Sequence, residues 1–546
     1  MKSALIALVV GAAAAAAGWM FQASPYRLRQ AGRPGDQAVL AHRTSAYSDI
    51  SWVVAPGDNG MELRFFDRVE GGICLEPSWP WLAAQAAGDA RLKHLVGDIA
   101  GTPPAAPDAT WPGERPGFMP STWPNPPNPG TLTHTKYITL FPTGILLNER
   151  LMAAAGGALR ATSPRILVVG LGSGIGIANL AHHMPDAAIT VVDIDVEVIE
   201  AVEAHYPLLR WLTTQTTSRG EPRLRLVCKD ARQYIHYDAK READAGRPLD
   251  LLIFDAYTSG STIPPHLMTV EFFAQCAQSL APDGIFLANI IGSYTGPKRK
   301  VLGGALRSLR HADCGLSHVR ILPVMQAYED AKTWRDSSTR NNVVLARRTP
   351  FAARWDDAIK LLKKFQPYEE LPENESRFIT EGVYLNRSTP GDPQRFWAQD
   401  AILTSVVPWP DRPEFAAMRA QFAPLPSGGQ PRHQTLLTCA SRDVMAQLRT
   451  AIMALPHDDR FPAPVGFDRA ADAACIVLSR IDWVVHARES YEKAIDAARD
   501  GQRNEGEALV GPIDRPGETR RGAGLIKDAP LFTDARPNAD IFNADD

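Results

Sequence analysis

Between about Arg165 and Leu345, short apolar runs alternate with helical segments at regular spacing. Ile166 to Val169, Ile189 to Val192, Leu224 to Val227, Leu251 to Phe254 and Ile285 to Asn289 are β-branched or aliphatic along most of their length, the pattern of strands covered on both faces. Val196 to His205 and Val270 to Ser279 lie between them as helical segments, and Asn342 to Ala346 reads as a closing strand. This order predicts an α/β fold: a Rossmann-like, doubly wound, mostly parallel sheet with helices on both faces.

The flanks differ. Ile50 to Val54 and Met61 to Phe66, separated by Pro56-Gly57-Asp58-Asn59-Gly60, predict a β-hairpin. Pro77 to Gly130 is too rich in proline for a helix interior or a central strand and reads as an insertion or linker. After Tyr137 the pattern is helical to about Leu159. Beyond Pro350 it is helical again, over Asp356 to Lys364, Arg442 to Met453 and Arg469 to Arg499, and a polar tail from Gly501 either wraps the surface or is poorly ordered. The expected organisation is an anchor or signal segment at 1–30, a small β domain at 44–76, the insertion at 77–130, the Rossmann-like domain at 131–350 and a mainly helical region at 351–546.

Length agrees with several domains, since 546 residues exceed what one core organises. A formal charge of -3 offers no polycationic surface, so nucleic acid is not expected as a partner. The six cysteines are scattered without metal-ligand spacing, which predicts buried apolar thiols, with no disulfide framework and no metal. Ser3 to Met20 carries no charge, follows Lys2 and precedes Arg27, Arg29 and Arg33. It reads as an inner-membrane anchor with a cytoplasmic body or as a signal peptide cleaved on export.

Candidate chemistry sits at strand ends. Gly170-Leu171-Gly172-Ser173-Gly174 joins the first core strand to a helix, where glycines let a ligand approach backbone amides. Asp193 ends the next strand and can accept ribose hydroxyls, with Asp195 the better helix cap. Asp230-Ala231 ends the third and can receive an adenine amine. Asp255 ends the fourth, followed by Tyr257 and, beyond two prolines, His266. His182 and His183 close the first core helix, where a cation suits the helix dipole.

Phe254-Asp255-Ala256-Tyr257 through Pro264-Pro265-His266-Leu267, followed by Thr269-Val270-Glu271-Phe272-Phe273, resembles the spermidine synthase-like (polyamine aminopropyltransferase-like) family, a branch of the class I S-adenosylmethionine-dependent methyltransferase fold. The N-terminal hairpin, with Phe66-Asp67-Arg68-Val69-Glu70-Gly71-Gly72, resembles that family's small β domain. The resemblance implies S-adenosylmethionine or its decarboxylated form as co-substrate, held by Gly170, Gly172, Ser173, Gly174, Asp193, Asp230 and Ala231. It implies Asp255 and Tyr257 as catalytic residues, and Glu70, Tyr137 and His266 against a small-molecule amine or other nucleophile. A homodimer and, through the N-terminal segment, membrane association are compatible with it. Ser173, Thr258, Glu70 and Tyr137-Ile138-Thr139 depart from the family pattern, which has an aspartate, a second acid, a glutamine and Tyr-His-Glu at these places. Aminopropyl transfer, methyl transfer and a non-catalytic membrane-associated nucleoside-binding role are the readings that follow.

Overall fold

The computed structural model describes residues 38–55, 60–66, 68–74, 136–257, 263–296, 298–325, 337–351, 355–365, 416, 441–454, 485–499, 525–526 and 529–537. The N-terminal segment 1–30, the Pro-rich stretch 77–130 and Thr258 lie outside them. Among the described residues no helix is long and apolar enough to cross a membrane.

Seven strands form the central sheet: β5 (Arg165–Val169), β6 (Ala188–Asp193), β7 (Leu224–Cys228), β8 (Leu249–Phe254), β9 (Leu280–Gly292), β10 (His318–Pro323) and β11 (Arg340–Arg347). Their spatial order is β10-β11-β9-β8-β5-β6-β7. The first five are mutually parallel, β11 runs antiparallel to β9, and β10 antiparallel to β11. Strand order reverses at β5, so the carboxyl ends of β5 and β8 flank the crevice where such sheets take their ligands. His318–Pro323 was not among the expected strands. Arg320 interrupts its apolar run, and its pairing with β11 needs a partner far along the chain.

Along the inner parallel strands, alternate residues serve two cores. Ile166, Val168, Ile189, Val191, Leu251 and Ile253 pack on one face with α1 (Ile175–His183) and α2 (Val196–His205). Leu167, Val169, Val192, Leu252 and Phe254 pack on the other with α3 (Val270–Ser279) and α4 (Arg299–Leu309). This double burial explains why the strands read as continuous apolar runs.

The expected hairpin is the middle of a four-stranded antiparallel meander, β1 (Ala38–Thr44), β2 (Asp49–Ala55), β3 (Gly60–Phe65) and β4 (Arg68–Cys74). Arg43 fastens it to α2 through Glu197 at 2.8 Å and Glu200 at 2.7 Å, and Ser45 Oγ donates to Asp195 at 2.5 Å. The stretch expected to be helical from Tyr137 to Leu159 is broken into a 3-10 turn, Lys136–Leu140, and short helices Thr143–Leu146 and Glu149–Ala154. Pro142 ends the first turn, and Gly156 and Gly157 adopt positive φ after the last helix.

Helix α5 (Trp355–Lys364) and the helix 485–499 extend the first core. The Tyr491 hydroxyl donates to the Leu362 carbonyl at 2.7 Å, and Phe365 packs between His183 and Tyr491. Helix α6 (Arg442–Met453) is capped by Ser441. The described part of the tail packs on the second core, with Phe532 fully buried against Gly304 of α4. Cys276 and Cys314 are buried as expected, but Cys228, at the end of β7, is exposed.

Candidate functional site

A cleft opens at the carboxyl ends of the parallel strands. Its floor is Val169-Gly170, Gly172, Val192 to Asp195, Asp230-Ala231 and Asp255 to Tyr257; Tyr137 forms one side, Pro264, His266 and Leu267 another, and Tyr47, Ser48, Phe65 and Glu70 reach down from the small sheet. Segments far apart in sequence meet here because parallel strands all deliver their ends to one edge.

Gly170 has φ 94°, and a Cβ there would lie 2.3 Å from the Asp255 carbonyl oxygen. Only glycine lets β5 and β8 release their chains so close together. The Asp193 carboxylate accepts from the Leu171 amide at 2.8 Å and the Asp195 amide at 2.9 Å, so it shapes the glycine loop from below. Burial raises its pKa above the ordinary carboxylate value, against the pull of those amides. Asp193 lines the cleft, and a carboxylate has acceptor capacity beyond these amide bonds. Asp195 caps α2 through the Glu197 amide at 3.0 Å.

Asp230 caps the turn Ala231–Gln233 by accepting from the Gln233 amide at 2.9 Å. Its other oxygen meets His266 Nε2 at 3.3 Å, which joins the third strand end to the Pro264–Leu267 wall. The helical run continues with a π-helical turn, Tyr234–Ala239.

Asp255 is the best-framed acid. It is half-buried, accepts from Asn289 Nδ2 at 2.9 Å and receives the Tyr137 hydroxyl. Loss of hydration lifts its carboxyl to about 6, although both hydrogen bonds pull it down. The Tyr257 hydroxyl donates to the Asn289 carbonyl at 2.6 Å and accepts from the Ile291 amide at 3.2 Å. Both bonds stitch the loop after β8 to β9, while the residue still lines the cleft. Burial pushes the Tyr137 and Tyr257 phenols well above their ordinary value, with Asp255 next in effect, so both remain protonated donors.

Ser173 and Gly174 do not line the cleft. Ser173 is buried, and a Cβ on Gly71 of β4 would lie 2.2 Å from its Oγ. The position where the family pattern carries an acid is here a small hydroxyl against which the β meander closes. His182 and His183 are also away from the cleft. Burial drives His183 down to about 3 and His182 well below its ordinary value, so neither is the helix-end cation that its position suggested.

Residues 147–293, which hold the glycine loop, all four strand-end acids of the cleft floor and Asn289, match the family model described as the spermine/spermidine synthase domain. The chain carries a spermine/spermidine synthase domain. The chain is 27% identical over 231 residues to the polyamine aminopropyltransferase of Vibrio vulnificus, a match covering 40% of this chain and 72% of that protein. It is 26% identical over 202 residues to the eEF1A lysine and N-terminal methyltransferase of Bos taurus, covering 32% of this chain and 27% of that protein. Among solved structures, a probable spermidine synthase from Corynebacterium glutamicum aligns over 60% of this chain and 87% of its own at 17% identity, with a TM-score of 0.36.

Within the spermine/spermidine synthase domain, Asn289 went unrecognised in the sequence. Its signal was present, an amide in the apolar run Phe286-Leu287-Ala288-Asn289-Ile290-Ile291, where a buried polar group needs a partner. Tyr47, Ser48 and Phe65 were missed for another reason. They reach the cleft only because the β meander folds over it, which no local pattern declares.

Proposed function

We propose that the spermine/spermidine synthase domain binds a decarboxylated S-adenosyl sulfonium nucleoside and transfers its aminopropyl group to a small-molecule amine. One observation carries this reading: Glu70, Asp193, Asp195, Asp230 and Asp255 line the cleft, and no lysine or arginine does so among the described residues. A sulfonium donor bearing an ammonium and no carboxylate suits such a lining. The carboxylate of S-adenosylmethionine would meet acids without a cationic partner.

The glycine loop, Asp193 and the Asp230-Ala231 turn would hold the nucleoside, with the sulfonium toward Asp255. The acceptor amine must lose a proton before its lone pair can attack. Asp255, at about 6, is mostly ionised at neutral pH and takes that proton. The nitrogen then forms a bond to the methylene beside sulfur, the carbon–sulfur bond breaks with its electron pair going to sulfur, and methylthioadenosine leaves as a neutral thioether. Tyr137 and Tyr257, fixed as protonated phenols, shape the acceptor side, and Glu70 faces them with a charge that suits an ammonium group.

Titration calorimetry with decarboxylated S-adenosylmethionine, S-adenosylmethionine and methylthioadenosine tests the assignment. The decarboxylated donor is expected to bind more tightly than S-adenosylmethionine by about tenfold or more, the scale of one charge interaction. Equal or tighter binding of S-adenosylmethionine would replace aminopropyl transfer with methyl transfer. No binding of any of the three at millimolar concentration would remove the nucleoside site itself.

A further inference from the structure

The tail lies beyond the residues matched by the family model, yet it packs beside the cleft. Arg232 directly follows the cleft residues Asp230 and Ala231. Its Nη1 and Nη2 donate to the two Asp534 carboxylate oxygens at 2.8 and 2.5 Å, a bidentate pair. Nη1 also reaches the His266 carbonyl at 3.1 Å, and Nε reaches Gln275 Oε1 of α3 at 3.3 Å. Asp534 accepts in addition from Thr269 Oγ1 at 2.8 Å, and its amide donates to Glu271 at 3.0 Å. Thr269 is the cap of α3. One carboxylate from the tail therefore joins the Asp230–Gln233 turn to the start of α3, and through Arg232 to the backbone of the His266 wall.

The tail has its own anchor, separate from this carboxylate. Phe532 is fully buried over Gly304, where any Cβ would collide with its ring, and its carbonyl accepts from the Val270 amide at 3.0 Å. The Phe532 amide donates to Ser308 Oγ at 3.1 Å, Arg307 donates to the Ala529 carbonyl, and Leu525 covers Gly303. Apolar burial holds the segment in place, and Asp534 is spent on the cleft wall.

We infer that Asp534 is a positioning residue for the nucleoside site, acting through Arg232 to hold the Asp230-Ala231 turn against the Pro264–Leu267 wall. The inference rests on the proposed nucleoside site for its ligand, and its closing measurement stands apart from that reading. Free of the clamp, Arg232 has no carboxylate to fix its guanidinium, and the wall is left to the 3.3 Å His266–Asp230 contact and to Arg232 bonds to the His266 carbonyl and Gln275 that Asp534 no longer orients.

The test compares the full-length protein with Asp534→Ala. Hydrogen–deuterium exchange is expected to rise in peptides covering 230–234 and 264–268, with the α4 peptides unchanged because Phe532 still docks. Melting temperature should stay within about 3 °C of wild type, the range of a lost exposed ion pair. Methylthioadenosine affinity by calorimetry should fall about tenfold, the effect of roughly one charge-assisted hydrogen bond. Unchanged exchange in both cleft peptides overturns the inference, as does unchanged affinity in a protein whose wild type binds. If wild type binds no nucleoside, the proposed function falls, and the exchange data alone decide whether Asp534 holds the wall.

Discussion

Asp255 and the His182–His183 pair are two places where burial displaces the acidity of side chains in opposite directions, and they differ in every other respect. Loss of hydration lifts Asp255 to about 6 and pushes His183 down to about 3. Asp255 stands at the end of a central strand, held by Asn289 and Tyr137 and open to the cleft. The histidines stack edge to face on each other at 5.0 Å, and His183 stacks on Phe365 at 5.1 Å, with apolar core around them. A displaced pKa thus marks chemistry only where a substrate can reach the group and partners orient it. Elsewhere it records what burying a titratable side chain costs.

The strongest way to break this contrast is Asp255→Asn, which keeps the shape and removes the base. Turnover is expected to fall by about 10²- to 10⁴-fold, with nucleoside affinity nearly unchanged. The melting temperature supplies an independent check. The folded carboxyl holds its proton more tightly than the unfolded one, at about 6 against 3.8. Its stabilising contribution is complete below the unfolded value and is lost as pH rises through about 6. At pH 7 the buried ionised group is a burden, so the variant should melt no lower than wild type. If melting temperature and affinity fell together, with turnover reduced only in proportion to folded protein, Asp255 would be a loop anchor and the contrast would collapse.

Asn289→Leu sharpens the same side of the comparison. The amide donates to Asp255 and thereby pulls its acidity toward the ordinary value, opposing desolvation. Without it the carboxyl should titrate above 6, and the acidic limb of the kcat/KM profile should move to higher pH. At pH 7 this predicts a loss of several-fold that is recovered by about pH 8 to 9. A limb that stays in place while activity drops at every pH would show that Asn289 supports the loop without tuning the acid.

Much of this arrangement could be read from the chain, for identifiable reasons. β5, β6 and β8 announced themselves because each packs apolar residues on both faces, and β7 by its aliphatic run although it is an edge strand with Arg225 and Cys228 exposed; the strand ends carried the acids because the chain leaves the sheet there. His318–Pro323 was hidden by Arg320, and the break after Leu140 by a helical pattern that Pro142 overrides. Ser173 looked like a ligand contact from its place in the glycine loop, but Gly71, about a hundred residues earlier in the sequence, decides where its hydroxyl lies. Asp534 offered no local signal at all, since its value comes from Arg232, more than three hundred residues away. Period and strand-end chemistry are local properties. Which distant segment closes over the cleft is a property of packing.

The smallest expected effect belongs to His183→Leu, which probes the other half of the contrast. Its Nε2 finds no hydrogen-bond partner among the described residues, and its imidazole is neutral in the fold. An unfolded chain takes up a proton at this histidine near its ordinary value of 6.5, whereas the folded chain resists until about 3. The sign follows: stability from this group is present above 6.5 and drains away as pH falls toward 3. By pH 5 the drain is about 2 kcal/mol, from roughly one and a half pKa units. Leucine has no proton to gain, so the variant should lose less stability than wild type between pH 7.5 and 5, while turnover at pH 7 stays within about twofold. Thermal melts across that range, paired with initial rates, provide the measurement. Parallel melting curves would mean that the histidine is not the acid-labile group, and a large drop in turnover at pH 7 would mean that the pair communicates with Asp255 after all.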